Sequence, residues 1–275
     1  MRLPLWISKL TLKRATVHRE LDVRRTCTRG APNAYDTLGN VYAWSGRYQE
    51  AEEAFRAGLQ KKADSEYNLV HLAYTLGWQG RFREAVAECK KLARAAANDG
   101  VKSRAYEGIS WFYSRLGDQA KADEFARKAK QTSGAHIMQP DATPSGRGTR
   151  GSNRLGLWLL GEIALARGRN DEAVADFQKA LHEADPIGAF DWREDCLADA
   201  YLRLGRLDEA IAEYQRVLGL NSNRALARYH LAAAFERKGT SKQARDEYQK
   251  FLEIWKRADA DVPEIKQAKV ALGRI

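Results

Sequence analysis

The chain has 275 residues, of which 44% are hydrophobic and 30% charged, and a formal net charge of +10 at pH 7. This composition is typical of an ordered protein and excludes a disordered chain. No apolar run reaches the roughly 18–20 residues of a transmembrane helix, and the opening segment MRLPLWISKLTL is too short and polar for a signal peptide. The three cysteines are widely separated, which favours a reducing compartment, and we expect a cytoplasmic location.

The positive charge is concentrated at one end of the chain. Residues 1–30 hold eight Lys and Arg against one Glu and one Asp, a net charge of +6. We therefore predict a separate basic segment over residues 1–31. It would bind a nucleic acid or another anionic surface, or it would fold back with Trp6 onto an acidic groove of the same chain. A tail without a partner is the third alternative.

A series of six glycines, most of them 34 to 37 residues apart, is the clearest pattern in the sequence. They are Gly46, Gly80, Gly117, Gly168, Gly205 and Gly239. The intervals between them are 34, 37, 51, 37 and 34 residues. A period near 34 is typical of stacked helical hairpins, in which a single unit cannot bury its own apolar face.

Residues 34–59 show the pattern around one of these glycines. Apolar side chains recur every three or four residues in two successive stretches, so each of two helices has one apolar face. Small residues at Gly39 and Ala51 would let the two helices approach closely. Gly46 would end the first helix, because glycine adopts the left-handed conformation at little cost. Five further copies of the pattern follow.

The recurring order of an aromatic or Leu, Leu-Gly/Ala, Tyr, Gly, Ala, an aromatic and Ala resembles the tetratricopeptide repeat. The resemblance covers residues 32–257 apart from one interruption. It implies an all-α fold, a right-handed α-solenoid of six antiparallel helix pairs arranged as two groups of three.

The uneven intervals predict the domain organisation. We expect repeats one to three over residues 32–130, a flexible Gly/Ser/Pro-rich insertion over 131–153, and repeats four to six over 154–257. An apolar stripe after Pro263 predicts a C-terminal capping helix within residues 258–275. The two intervals of 37 residues predict that the second helices of repeats two and four are three residues longer.

Residues 248–272 are also similar to the tail of repeat arrays attached to bacterial serine/threonine kinases and winged-helix regulators. This resemblance implies an alternative function, a regulatory module that acts with such a protein. The chain itself has no kinase motif.

No motif predicts catalysis. Residues 146–151 spell GRGTRG, which matches the glycine pattern of a dinucleotide site, but no strand precedes it and a linker explains it better. The histidines and cysteines show no metal-ligand spacing. We expect a non-enzymatic protein with no cofactor and no bound metal.

The resemblance implies a concave groove lined by the first helices of the repeats. The positions that it assigns to this groove are Asn40, Trp44, Tyr67, Tyr74, Trp78, Arg104, Trp111, Trp158, Glu162, Trp192, Asp195, Asp199 and Tyr229. Tryptophan and tyrosine dominate binding hot spots, so these residues favour a peptide-binding surface. The alternative is that some of the tryptophans pack between neighbouring first helices and complete the core.

Acidic residues outnumber basic ones along this predicted groove. Asp36, Glu107 and Glu236 add to the carboxylates above, whereas Arg104 is the one basic residue and further arginines lie at the rim. An aromatic and mildly acidic groove suits an extended peptide or helix with Pro, aromatic or Lys/Arg residues. We predict a non-catalytic scaffold that binds a protein partner.

Some members of this family bind the acidic C-terminal tails of chaperones through Lys, Asn and Arg side chains in three successive repeats. The corresponding positions here are Asp36, Asn40, His71, Arg104 and Gly108. Too few of them match, so we do not expect this chain to bind such a tail.

Overall fold

The computed structural model describes residues 32–132, residues 157–182 except 159, 162 and 166, and residues 195–275. All regular secondary structure within these residues is α-helical, which confirms the all-α class. Residues 157–165 include the described part of a further helix. The helices with complete bounds are α1 (Pro32–Trp44), α2 (Tyr48–Lys61), α3 (Glu66–Trp78), α4 (Phe82–Ala95), α5 (Asp99–Arg115), α6 (Gln119–Thr132), α7 (Asn170–His182), α8 (Cys196–Arg203), α9 (Leu207–Leu220), α10 (Ala225–Arg237), α11 (Ser241–Ile254) and α12 (Pro263–Arg274).

The described residues form two compact units. The first unit contains residues 32–132 and 252–270, and the second contains residues 157–251 and 271–275. In the first unit each helix from α1 to α6 packs against the next, and the first helices α1, α3 and α5 also contact one another in series. In the second unit α7 to α10 pack in the same order, and α8 contacts α10. Stacked helix pairs of this kind are the α-solenoid that the period predicts.

The six predicted glycines end the first helices. Their φ angles lie between +72° and +81°, a region that favours glycine. After each glycine, the next residue donates its backbone N–H to the carbonyl five residues earlier, as from Arg47 to Tyr42 at 2.9 Å. This arrangement is a Schellman motif, which satisfies carbonyls that the helix end would otherwise leave free.

Replacing Gly117 with alanine isolates the cost of this conformation. A Cβ at Gly117 would have no neighbour within 4 Å, so only backbone strain opposes the change. We expect urea denaturation to show a loss of about 1–2 kcal/mol in the free energy of unfolding. The control is Gly273→Ala, where a Cβ likewise meets nothing within 4 Å but the backbone is helical; that variant should be at least as stable as the native chain. Equal stability of the two variants would contradict the assignment.

Close helix packing also depends on glycine inside the first helices. A Cβ at Gly39 would lie 2.6 Å from Phe55 Cδ1, and a Cβ at Gly161 would lie 2.6 Å from Phe177 Cε1. Phe55 is fully buried. The structure therefore confirms the close approach predicted at Gly39 and shows the same contact in repeat four.

An arginine follows the turn glycine in four of the repeats and forms an ion pair with the glutamate three residues later. The pairs are Arg47–Glu50, Arg81–Glu84, Arg169–Glu172 and Arg206–Glu209. Arg81 differs because its side chain is buried and also binds Glu52 of repeat one, with Nη1 2.5 Å from Oε2. Burial alone would raise the pKa of Glu52, but hydrogen bonds from Arg81 and Arg56 outweigh it and hold that pKa below its ordinary value.

One predicted helix length is wrong. In repeat two the second helix α4 has 14 residues, as α2 has, so it is not lengthened. The extra residues lengthen the first helix of repeat three instead, since α5 has 17 residues and α1 has 13. The cause is Asn98, whose side-chain oxygen accepts a hydrogen bond from the backbone N–H of Val101 and caps α5 about one turn earlier. The corresponding part of repeat four lies outside the described residues.

The remaining domain boundaries stay predictions. A helix is present within residues 258–275 as α12, which begins at Pro263. Residues 252–270 belong to the first unit, and the capping role expected of this helix stays a prediction. The basic segment of residues 1–31 lies outside the described residues. So does the predicted insertion, apart from its first two residues, which continue α6.

Candidate functional site

The first helices of the first unit carry aromatic side chains that differ in exposure. Tyr67, in the first turn of α3, is 67% exposed, and Trp111, about one turn before the end of α5, is 37% exposed. Trp44 and Trp78 are the last residues of α1 and α3 and are half-buried. Tyr67 and Trp111 therefore retain apolar surface that the fold itself does not use.

The other aromatic residues of this group contribute partly to packing. The Trp78 ring lies 5.7 Å from that of Tyr48, and the Tyr74 ring lies 6.0 Å from that of Phe112. Trp111 meets Phe112 edge-on at 5.0 Å. These contacts hold each ring in one orientation, and a binding role for the faces that stay exposed remains a prediction.

A cleft of about 600 Å³ lies between α5 and α6 in repeat three. Its lining residues include Glu107, Ser110, Trp111, Asp123 and Lys130. The Ser110 hydroxyl donates to the backbone carbonyl of Ala122 at 2.7 Å, which fixes one helix against the other. Two carboxylates and one ammonium group face the cleft, so its charge is mildly negative.

Asp36 and His71 form a close pair across the first two repeats. His71 Nδ1 lies 2.6 Å from Asp36 Oδ1, and the Asn40 amide donates to Asp36 Oδ2 at 3.2 Å. The sequence resemblance aligns these three residues with positions that some family members use to bind the acidic tail of a chaperone. In this chain the three side chains bind one another, and Asp36 adds a negative charge at a position where an acidic tail would need a positive one. Arg104, on α5, is exposed.

The second unit has a similar pair. His230 Nδ1 lies 3.0 Å from Asp199 Oδ1, and the Tyr214 hydroxyl donates to the same oxygen at 2.5 Å. Burial alone would raise the pKa of Asp199, but the charge of His230 and the hydrogen bonds hold it below its ordinary value. Asp195 forms an ion pair with Arg224 at 3.1 Å.

The aromatic candidates of the second unit also contact the core. The Tyr229 ring lies 5.3 Å from the rings of both His230 and Phe251. The Trp158 indole N–H donates to Cys196 Sγ at 2.6 Å. Two further candidates, Glu162 and Trp192, lie outside the described residues.

The residue composition of the groove did not reveal that its carboxylates have partners. Asp36 and Asp199 each pair with a histidine of the neighbouring first helix, and Asp195 pairs with Arg224, the residue before α10. The Tyr248 hydroxyl donates to Glu236 at 2.8 Å. One sequence feature could have indicated the two histidine pairs: their members are 35 and 31 residues apart, close to the repeat period, and so lie in neighbouring repeats. The mildly acidic character of the whole groove stays a prediction.

Neither a metal centre nor a membrane span emerges from the part of the chain that the structure describes. Within it, no three His, Cys, Asp or Glu side chains lie together in a way that would hold a metal ion. Among the same residues, none of the helices combines the length and the apolar character needed to cross a membrane.

An array of antiparallel helix pairs joined by left-handed glycine turns defines an α-solenoid. Tetratricopeptide repeat models match four segments that together span more than half of the chain, residues 32–64, 103–136, 149–188 and 198–239. The chain belongs to the tetratricopeptide repeat family. The similarity of residues 248–272 to kinase and winged-helix arrays stays a prediction.

Individual proteins are similar to the chain at low identity. Tetratricopeptide repeat protein 37 of Xenopus laevis is 24% identical over 227 residues, which are 74% of this chain and 14% of that protein. The anaphase-promoting complex hetero-tetramer Cut9-Hcn1 has a chain that is 18% identical, with a TM-score of 0.46 over 93% of this chain and 46% of that one. The first repeat domain of Spaghetti (RPAP3), bound to the HSP90 peptide SRMEEVD, is 24% identical, with a TM-score of 0.37 over 44% and 94% of the two chains.

Proposed function

We propose that this protein is a non-catalytic interaction scaffold that binds an extended peptide or a helix of a partner along its first helices. The observation that carries the proposal is Trp111, an indole 37% exposed beside the cleft of repeat three. Its ring is held in place by Phe112, so little conformational entropy is lost when a ligand covers the free face. Rigid, partly exposed tryptophans of this kind are typical binding hot spots.

The chemistry of the cleft suggests the partner. Glu107 and Asp123 outnumber Lys130 among its charged groups, and Ser110 and Ser114 supply neutral polar surface. A Lys or Arg side chain would place its charge near the carboxylates and stack on the indole through a cation–π contact. A proline or an aromatic residue would use the same indole face. We therefore favour a partner segment that carries these residue types.

Two other functions remain hypotheses. The basic segment of residues 1–31 would bind nucleic acid or an anionic surface, or contact the groove of its own chain, but it lies outside the described residues. A regulatory role beside a bacterial kinase or a transcription regulator rests on the resemblance of residues 248–272 alone. Neither has a contact among the described residues that supports it.

Selection of peptides from a random display library on the full-length protein tests the proposal. For a selected peptide, Trp111→Ala should raise the Kd about 30-fold or more in fluorescence anisotropy, since loss of a hot spot costs about 2 kcal/mol or more. Leu220→Ala is the control, because Leu220 is also an exposed apolar residue, 48% exposed on a second helix. It should leave the Kd unchanged. The acidic peptide SRMEEVD should not bind.

Circular dichroism should show the same helix content for both variants. Selected peptides that bind the native chain and the Trp111→Ala variant equally would overturn the proposed site. Loss of helix content in that variant would instead assign Trp111 to the core.

A further inference from the structure

Residues 252–270 pack against the turn between the two helices of repeat two. Trp255 is only 2% exposed, and its ring meets that of Phe82 edge-on at 5.8 Å. Its indole N–H donates to the backbone carbonyl of Trp78 at 2.8 Å. The apolar ring and its polar nitrogen are both satisfied, which makes Trp255 the anchor of the contact.

The backbones of the two segments also touch. The N–H of Asp259 donates to the carbonyl of Gly80 at 3.0 Å. A Cβ at Gly80 would lie 2.6 Å from the Cβ of Ala258 and 2.9 Å from the Trp255 ring. Gly80 is therefore needed both for its positive φ and for the close approach of residues 255–258.

Ion pairs of one polarity surround this anchor. Arg83 binds the carboxylate of Asp261 through both terminal nitrogens at 2.5 and 2.7 Å, and its backbone N–H donates to Asp259 at 3.0 Å. Arg115 binds Glu264 at 2.6 Å. In each of these ion pairs the arginine lies on the repeats and the carboxylate within residues 259–264, so this part of the segment is recognised by charge as well as by shape.

This surface is particular to repeat two. The second and third residues after the turn glycine are Phe82 and Arg83 in repeat two. The same two positions hold Tyr-Gln in repeat one and Gln-Ala, Asn-Asp, Leu-Asp and Ser-Lys in repeats three to six. The combination of an aromatic ring with a second arginine thus occurs once in the series. The segment that it binds has the spacing Trp-x3-Asp-x-Asp-x2-Glu over residues 255–264.

We propose that the turn surface formed by Gly80, Phe82, Arg83 and Arg115, which adjoins the predicted groove at Trp78, is a second recognition site for an aromatic–acidic peptide segment. Residues 252–270 occupy it as an internal ligand. A partner peptide with the same spacing of Trp, two Asp and Glu competes for it. This inference does not depend on the proposed peptide-binding function of the first helices.

The energetics of the contact would allow a partner peptide to replace residues 252–270 at this surface. The side chains of Arg83 and Asp261 are 56% and 44% exposed, and exposed pairs of this kind contribute little to stability. Most of the binding energy therefore comes from burial of Trp255. A tethered segment competes at an effective concentration on the order of millimolar, which a peptide in trans must overcome. Weakening the internal ligand should open the site.

A fluorescently labelled synthetic peptide of residues 252–270 tests this proposal on the full-length chain. We expect Trp255→Ala to bind it at least 10-fold more tightly than the native chain, whose own segment occupies the site. Adding Arg83→Glu to that variant should weaken binding at least 10-fold. Adding Arg94→Glu, an equal charge change on an exposed residue of the same helix α4, should not.

Reversing the charges of the peptide should restore its binding to the variant in which Arg83 is reversed. A peptide with Asp259→Lys and Asp261→Lys should bind the variant that carries Trp255→Ala and Arg83→Glu better than the native-sequence peptide does. If Trp255→Ala loses helix content, the variant with Asp259→Lys and Asp261→Lys, which places two like charges beside Arg83, weakens the internal ligand instead, with a smaller expected gain in peptide binding than Trp255→Ala. Equal binding to the native and opened chains, no binding to either, or equal effects of Arg83→Glu and Arg94→Glu would each overturn the proposal.

Discussion

Replacing Phe82 with alanine is expected to lower the free energy of unfolding of the first unit by about 3–5 kcal/mol. Phe82 is fully buried, and its ring faces those of Trp111, Phe112 and Trp255 at 6.2, 6.2 and 5.8 Å. The substitution would leave a cavity among three aromatic rings that rigid helices cannot fill by small shifts. Urea denaturation followed by far-UV circular dichroism measures the change.

Tyr67→Ala is the control for this prediction, because Tyr67 is aromatic but 67% exposed. Its loss should change the free energy of unfolding by no more than about 0.5 kcal/mol. A similar small effect of Phe82→Ala would mean that the three rings do not form one packed cluster.

Replacing Arg81 with alanine should cost about 2–3 kcal/mol at pH 7, because Glu52 stays largely buried but keeps only the more exposed Arg56 as a partner. The exposed pair Arg47–Glu50 occupies the same repeat position in repeat one and provides the matched control. Arg47→Ala should cost at most about 1 kcal/mol. Arg47→Ala removes only the pair within its repeat, whereas Arg81→Ala also removes the buried pair with Glu52, so the difference between the two variants reports mainly on that buried pair.

The pH dependence of this effect has a defined sign. The folded-state pKa of Glu52 lies below its ordinary value of 4.5, so the pair stabilises the fold fully above that value. The contribution is lost as the pH falls through the lower folded-state pKa. The difference between the native chain and Arg81→Ala should therefore shrink in acid, as urea titrations at several pH values would measure. A difference that grows below pH 4 would contradict the assignment of the Arg81–Glu52 pair.

The features that were predictable from sequence are those that depend on local backbone geometry. A turn glycine such as Gly46 is required by its own positive φ, whatever the rest of the chain does. Gly39 was predictable too, because the two helices of one repeat must pack closely and a small residue on the shared face allows this. The cap at Asn98 is equally local and was missed, although an Asn followed by a helical pattern is a recognised start signal.

The features that were not predictable depend on how distant segments meet. The Asp36–His71 pair requires two first helices to lie side by side in a particular rotation, which the period alone does not give. The Arg83–Asp261 pair joins residues 178 positions apart, and periodicity predicts the helix near Asp261 but not the surface on which it lies. The groove assignments at Trp78 and Trp111 follow from resemblance and stay predictions until a ligand is bound.

Nuclear magnetic resonance of the indole N–H groups tests the central claim most directly. The chain has seven tryptophans, whose ¹⁵N-labelled indole signals can be assigned by single Trp→Phe variants. On addition of a peptide selected for tight binding, we expect the Trp111 signal to shift while the Trp255 signal stays in place. A shift of the Trp255 signal without any change at Trp111 would contradict the proposed binding surface and place the ligand at the turn of repeat two.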